Sequence, residues 1–301
     1  MRAENHTQVR APLDRAALRR ALVRPGGLWR DLEVVESTGS TNADLLARAL
    51  AGEPEGAVLA AEEQRAGRGR MGRTWTSPPR AALTFSVLLK PAVPPARRGW
   101  LPLLTGVAVA TAVTQVAGVK TTIKWPNDLL TADAKLAGIL AEASGDAVVV
   151  GIGLNVSTEP AELSHLLASA RPGALPATSL RAAGATVLDR ASLLLAILGE
   201  LEHWYRAWQR AGGDPDRSGL RAEYISLSAT IGRTVRAELP GGQALSGPAA
   251  GLDSDGMLLV RVSSGSEVAV SAGDVVHLRW PARGANASAA ARQATGTAGT
   301  R

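Results

Sequence analysis

The 301 residues contain no cysteine, which excludes a disulfide framework, a thiolate nucleophile and a zinc site built on Cys. The four histidines, His6, His165, His203 and His277, are scattered. Neither H-E-x-x-H nor G-x-S-x-G occurs, so zinc hydrolysis and a nucleophile elbow have no sequence basis. Long hydrophobic runs are also missing. The most apolar stretch, Trp100 to Val119, is interrupted by Pro102, Gly106, several Thr and Gln115, and the start carries no apolar core of signal-peptide length. The expectation is a cytoplasmic protein with no membrane partner. Lysine is scarce too, with four Lys against 29 Arg.

Hydrophobic residues make up 46% of the chain, enough for a substantial core in one large or two ordinary domains. The net charge is +6. Residues 1–30 carry seven Arg against Glu4 and Asp14, a charge of +5, and residues 284–301 carry two Arg and no acid. Taking both ends away leaves −1 for the body. A nearly neutral body argues against an extended phosphate-tracking surface, so no nucleic-acid partner is expected.

Pattern divides the chain into four parts. Residues 1–30 form a short basic arm with one amphipathic helix capped by Asp14. Residues 31–222 alternate strands such as "LEVVES", "GAVLAAEE" and "AALTFSVLLK" with helices starting near Ser40, Arg98, Ala161 and Asp189. In this part "KLAGILAEAS" and "AVVVGIGLNV" form a hairpin. Residues 223–283 hold short strands punctuated by Gly, and residues 284–301 are a low-complexity tail expected to be disordered. The fold class is α+β: a mixed, substantially antiparallel sheet packed by helices, then a small β-barrel. Trp204 and Trp208, at i and i+4, are read as core.

"GRGRMGR" (67–73) fits a dinucleotide fingerprint through Gly67, Gly69 and Gly72, and also a near-Walker loop with Arg73 in the Lys position. Both motifs need a helix straight after the glycines. "TWTSPPR" follows instead, and no acid lies between Arg73 and Thr122. An exposed solvated loop, an RNA tether and an ordered ligand loop remain. In the last, glycines let the backbone approach a small molecule while Arg68 and Arg70, two apart in extended chain, project to one side to grip a phosphate or carboxylate.

Two of the four lysines, Lys124 and Lys135, fall within "KWPNDLLTADAKLAG", either as compact point charges or as ordinary surface Lys. Asn127 and Asp128 suit a turn cap after Trp125–Pro126. Gly151 and Gly153 leave one face of their strand bare, for close packing or for a flat ligand, and Asn155 shares that face. Ser40, Thr41 and Asn42 read as a helix cap or as neutral hydrogen-bonding groups for a polar ligand.

In this order and spacing, "STNADL", "EEQRAGRGRMGRTWTSP", "KWPNDLL", "KLAGILAEA" and "GIGLNV" resemble the biotin–protein ligases, over about Glu33 to Trp280. The resemblance implies a class II synthetase-like catalytic domain and an SH3-like barrel. It implies ATP with Mg²⁺ as co-substrate, biotin as substrate, a biotinyl-5′-adenylate intermediate, and a biotin carboxyl carrier domain as acceptor, with no metal held by Cys or His. Lys135 and Arg70 then take catalytic roles. Ser40, Thr41, Asn42, Gln64, Gly67, Arg68, Gly69, Arg70, Lys135, Gly138, Gly151 and Gly153 bind biotin. Arg68, Arg70, Arg73, Trp75, Lys124, Asn127, Asp128, Lys135 and Asn155 serve the nucleotide, Asp128 also as metal ligand, with Arg279 reaching in from the barrel. Met71 stands where some relatives have a basic residue. A DNA-binding module needs on the order of 60 residues, and fewer than 30 precede Trp29, so repressor activity is not expected. The loop 64–77 is expected to be mobile without ligand. A lipoate–protein ligase is the nearest rival.

Overall fold

The computed structural model describes residues 10–167, 175–238, 244–271 and 274–277. Arg279 and the tail 284–301 lie outside the described residues.

Seven strands build the main sheet: β1 (Asp31–Val35), β2 (Ala57–Ala61), β3 (Ala82–Leu89), β4 (Thr122–Lys124), β5 (Asp128–Thr131), β6 (Ala134–Ser144) and β7 (Ala147–Asn155). Their spatial order is β1-β2-β3-β7-β6-β5-β4. Only β1 and β2 run parallel; every other neighbouring pair is antiparallel. The mixed, mainly antiparallel sheet expected from the sequence is therefore present.

Side-chain alternation assigns the two faces. Phe85, Val87 and Leu89 of β3 join Val148, Val150 and Ile152 of β7 in the large core under α3 (Trp100–Ala117) and α5 (Arg190–Arg210). Leu88, Val149 and Leu59 point the other way and meet Leu45 of α2 (Thr41–Leu50). Helix α3 is long and apolar enough to cross a membrane, but 72% of its most apolar window is buried, as in a core helix. Trp208 is fully buried and Trp204 packs against the same core. The remaining helices are α1 (Arg15–Leu22), capped by Asp14, α4 (Pro160–Leu167) and α6 (Leu220–Leu227).

The C-terminal strands β8 (Thr234–Glu238), β9 (Ala244–Leu252), β10 (Leu258–Arg261), β11 (Glu267–Val270) and β12 (Asp274–His277) form an antiparallel sheet ordered β11-β10-β9-β8-β12. Strand β9 belongs to both of its ladders, as in a small partly open barrel. Its β9–β10 turn docks on the main domain. The Trp100 and Trp125 indoles donate to Ser254 O (3.0 Å) and Gly256 O (3.1 Å). The Trp125 backbone N–H donates to Thr230 Oγ1 at 3.0 Å. The barrel thereby fixes the segment that leads into Asn127 and Asp128.

Candidate active site

The site lies on the sheet face that carries α2. Cross-strand register aligns Ser86 with Gly151, Thr84 with Gly153, Gly138 with Gly153 and Leu140 with Gly151. Three glycines therefore form a strip without side chains. Part of that strip is filled by the protein itself. A Cβ at Gly151 would overlap the Asn42 amide oxygen, and a Cβ at Gly153 would overlap the Trp75 indole. The bare face expected to receive a flat ligand thus first seats Asn42 and Trp75, which leaves a cavity beside them enclosing about 670 Å³, including the part open to solvent.

One end of the cavity is neutral. Ser40 caps α2, placing Thr41 and Asn42 in its first turn, where both are buried. Thr41 donates its N–H to Gln64 Oε1 (2.8 Å), and Asn42 Nδ2 faces Leu140 O (3.1 Å) and Glu142 Oε2 (2.8 Å). Both amide carbonyl oxygens are thereby oriented inward. Between them run three short oxygen–oxygen contacts: Gln64 Oε1 to Thr41 Oγ1 (3.0 Å), Thr41 Oγ1 to Ser86 Oγ (2.7 Å), and Ser86 Oγ to Asn42 Oδ1 (2.6 Å). Two hydroxyl hydrogens serve these three contacts, so the chain is one hydrogen short. The chain is thus rich in acceptors, and its free lone pairs suit an N–H donor from a ligand.

The other end is cationic. Lys135 Nζ lies 2.7 Å from Asp128 Oδ1, and Lys124 is the cross-strand partner of Asp128. Arg70 donates to Asn127 Oδ1 (3.2 Å), and Asn127 Nδ2 donates to Ile139 O (2.9 Å). The Lys124 ammonium is held below its ordinary pKa by desolvation first, then by Lys135 and Arg73, with Asp128 opposing. Arg70 is lowered likewise, by burial and by Arg73, against Asp128. Two lysines and two arginines thus crowd one carboxylate, and an entering anion would relieve both the lost solvation and the mutual repulsion.

The glycine-rich segment roofs this end as a narrow hairpin. Trp75 N–H donates to Gly67 O (2.8 Å), Gly69 N–H donates to Arg73 O (2.7 Å), and Arg68 bridges to Thr74. Met71 and Gly72 turn it with φ of 56° and 72°. A Cβ on Gly67 would overlap Trp75 O and come within 2.8 Å of Gln64 Nε2. No helix follows, so neither phosphate motif applies. The two arginines also diverge, because the chain turns at Arg70 instead of continuing extended. Arg68 reaches Glu142 (3.3 Å), whereas Arg70 reaches Asn127.

Ser40, Thr41, Asn42, Gln64, Arg68, Gly69, Arg70, Arg73, Trp75, Asn127, Asp128, Lys135, Gly138, Gly151 and Gly153 all line the cavity. Gly67, Lys124 and Asn155 do not. Gly67 closes the hairpin, Lys124 sits one strand behind Asp128, and buried Asn155 donates its amide to Thr178 O at 2.9 Å. Sequence reasoning missed Thr74, Thr84, Phe85, Ile139, Leu140 and Ile152 in the lining, and the Ser86 and Glu142 contacts to Asn42. Strand alternation carried a signal for Thr84 and Ser86, which share the site face of β3, whereas Phe85 belongs to the opposite, core face.

A slot with a neutral, donor-seeking end, a cationic end and no histidine among its lining residues is built to hold anionic reactants together, and not to attack them. Residues 33–158 match the biotin/lipoate A/B protein ligase family, and residues 230–278 match the biotin protein ligase C-terminal domain. The chain belongs to the biotin protein ligase family. It is 45% identical to the biotin–[acetyl-CoA-carboxylase] ligase of Mycobacterium tuberculosis over 90% of this chain and 98% of that protein. The biotin protein ligase of Aquifex aeolicus, solved in complex with biotin and ATP, superposes with a TM-score of 0.68 and 26% identity, covering 83% of this chain and all of that one. The Leishmania major enzyme in complex with biotinyl-5-AMP gives 0.54 and 26%, over 81% and 99%.

Proposed function

We propose that this chain joins biotin to a lysine of a biotin carboxyl carrier domain in two steps. A biotin carboxylate oxygen attacks the α-phosphorus of ATP, the bond to pyrophosphate breaks, and biotinyl-5′-adenylate forms. The carrier amine then attacks the acyl carbon, AMP leaves, and the amine loses a proton. The observation that carries this reading is the oxygen chain from Gln64 to Asn42, one hydrogen short. A cyclic urea offers N–H donors to the free lone pairs of this acceptor-rich chain, whereas the dithiolane ring of lipoate has no such donor.

Each residue then has a task. Ser40, Thr41, Asn42 and Gln64 orient the urea, with Trp75 and Gly138 walling the apolar body. Lys135 and Arg70 stand where the biotin carboxylate and the α-phosphate meet and stabilise the charge that grows on the phosphoryl oxygens. Arg68, Arg73, Lys124 and Asn127 attract the remaining phosphates. Among the described residues no group of three or more His, Asp or Glu could hold a metal. Asp128 alone fits Mg²⁺ that arrives on the nucleotide phosphates, which would balance their charge. A chain without Cys that uses ATP suits the cytoplasm.

Incubation with ATP, Mg²⁺, biotin and a purified carrier domain should modify one lysine of the carrier by intact mass. Modification of a lipoyl domain with lipoate, and none with biotin, would contradict the assignment. Arg70→Ala should let the adenylate escape: lysines of a bystander protein become biotinylated at least about ten-fold faster than with the parent, for a lost charged contact of about 1.5–3 kcal/mol. Gly153→Ala should displace Trp75 and weaken biotin binding about ten-fold or more by calorimetry, since overpacking costs typically 1–3 kcal/mol.

A further inference from the structure

Glu142 lies on β6, outside the cavity lining, and its two carboxylate oxygens have separate partners. Oε1 faces the guanidinium of Arg68 at 3.3 Å, with the Arg68 side chain half exposed. Such a contact contributes little by itself. Oε2 accepts from Asn42 Nδ2 at 2.8 Å, on a residue only 4% exposed.

We propose that Glu142 is a positioning residue of this site: it holds the Asn42 amide in the single orientation that turns its oxygen toward Ser86 and the ligand. An asparagine amide presents two donors on one side and an acceptor on the other. Leu140 O (3.1 Å) and Glu142 Oε2 are both acceptors, so only the NH₂ group can face them. The oxygen then points at Ser86 Oγ, 2.6 Å away, and terminates the chain that reads the head group. Gly151 leaves room for that oxygen, because a Cβ there would overlap it. Register delivers all of these groups together: Leu140 and Glu142 alternate onto the same face of β6, opposite Gly151 and Val149. Without Glu142, one buried N–H of Asn42 has no acceptor, and a flipped amide would set NH₂ against the Ser86 hydroxyl.

The functional part of this inference rests on the biotin assignment; the geometric part does not. Two full-length variants test it. Glu142→Ala removes the acceptor, whereas Glu142→Gln keeps an amide oxygen that can still accept from Asn42. The Asn42 side-chain NH₂ resonances of the ligand-free protein should shift in the Ala variant and stay near their parent positions in the Gln variant. In biotin-dependent adenylation, Glu142→Ala should raise the biotin KM about ten-fold, the value of an orphaned buried donor. Its kcat should stay within about two-fold of the parent, because Asn42 belongs to the head-group chain and the half-exposed Arg68 contact contributes little. Glu142→Gln should restore KM to within about two-fold of the parent. An unshifted Asn42 pair in Glu142→Ala, a Gln variant as impaired as Ala, or a fall in kcat with KM unchanged would each overturn the proposal. A parent chain inactive with biotin would reject the assignment of function, and the Asn42 resonances would still decide the role of Glu142.

Discussion

Replacing Lys135 with alanine is expected to slow formation of the acyl-adenylate about 10²- to 10³-fold, the usual cost of removing one preorganised charge from a developing oxyanion. Its backbone is fixed on both sides: Lys135 N–H donates to Pro176 O (2.7 Å), and Thr178 N–H donates to Lys135 O (2.9 Å). Its ammonium is poised against Asp128 at 2.7 Å, and it lies beside Gly138, as does the Trp75 indole. Deletion acts twice, since a cation is lost and the Asp128 carboxylate gives up its 2.7 Å contact next to the entering anions. Lys135→Arg should recover little, because a planar fork cannot reproduce a compact ammonium. Rapid-quench single-turnover measurement with saturating biotin and ATP isolates the step. A rate within about three-fold of the parent would remove Lys135 from the chemistry.

The second large effect is on stability. Arg190→Ala is expected to cost about 3–5 kcal/mol, because it strands a buried carboxylate. The Arg190 and Glu62 side chains are 7% and 2% exposed, with Nη1 and Oε2 2.6 Å apart. Arg190 also donates to Ala82 O (3.3 Å) and Ala11 O (2.7 Å), and Glu62 accepts from Leu13 N–H (2.6 Å). One ion pair therefore ties the N-terminal segment, β3, α5 and the end of β2 that leads into Gln64. Thermal unfolding should shift down by roughly 10 °C. Replacing both partners with apolar residues, Arg190→Met with Glu62→Leu, should recover much of the loss, since no charge is then left buried alone. A single variant that melts within about 2 °C of the parent would show that the pair does not bind these elements together.

Strong periodicity made most of the scaffold legible. "ALTFSVLL" and "AVVVGIGLN" are central strands buried on both faces, and their β-branched runs announce them. Strand β5 went unread because "DLLT" is only four residues long and follows Pro126–Asn127, which signal a turn. Helix α6 has eight residues and begins after Gly219, with no side-chain cap to mark it. The cavity's motif residues were legible because their chemistry is local to each motif. The tie between Asn42, Ser86 and Glu142 was not, since it depends on the register of β3, β7 and β6, and register is set by the whole sheet. The divergence of Arg68 and Arg70 was hidden for another reason. A Gly-Arg-Met-Gly segment is as free to turn as to extend, and tertiary contacts choose between the two.

The most direct measurement is exchange of radiolabelled pyrophosphate into ATP by the purified chain, with each acid supplied in turn. Exchange that needs biotin, and that Lys135→Ala abolishes, is what this cavity demands. Exchange supported by lipoate but not by biotin, or none with any acid while the protein is folded, would contradict it.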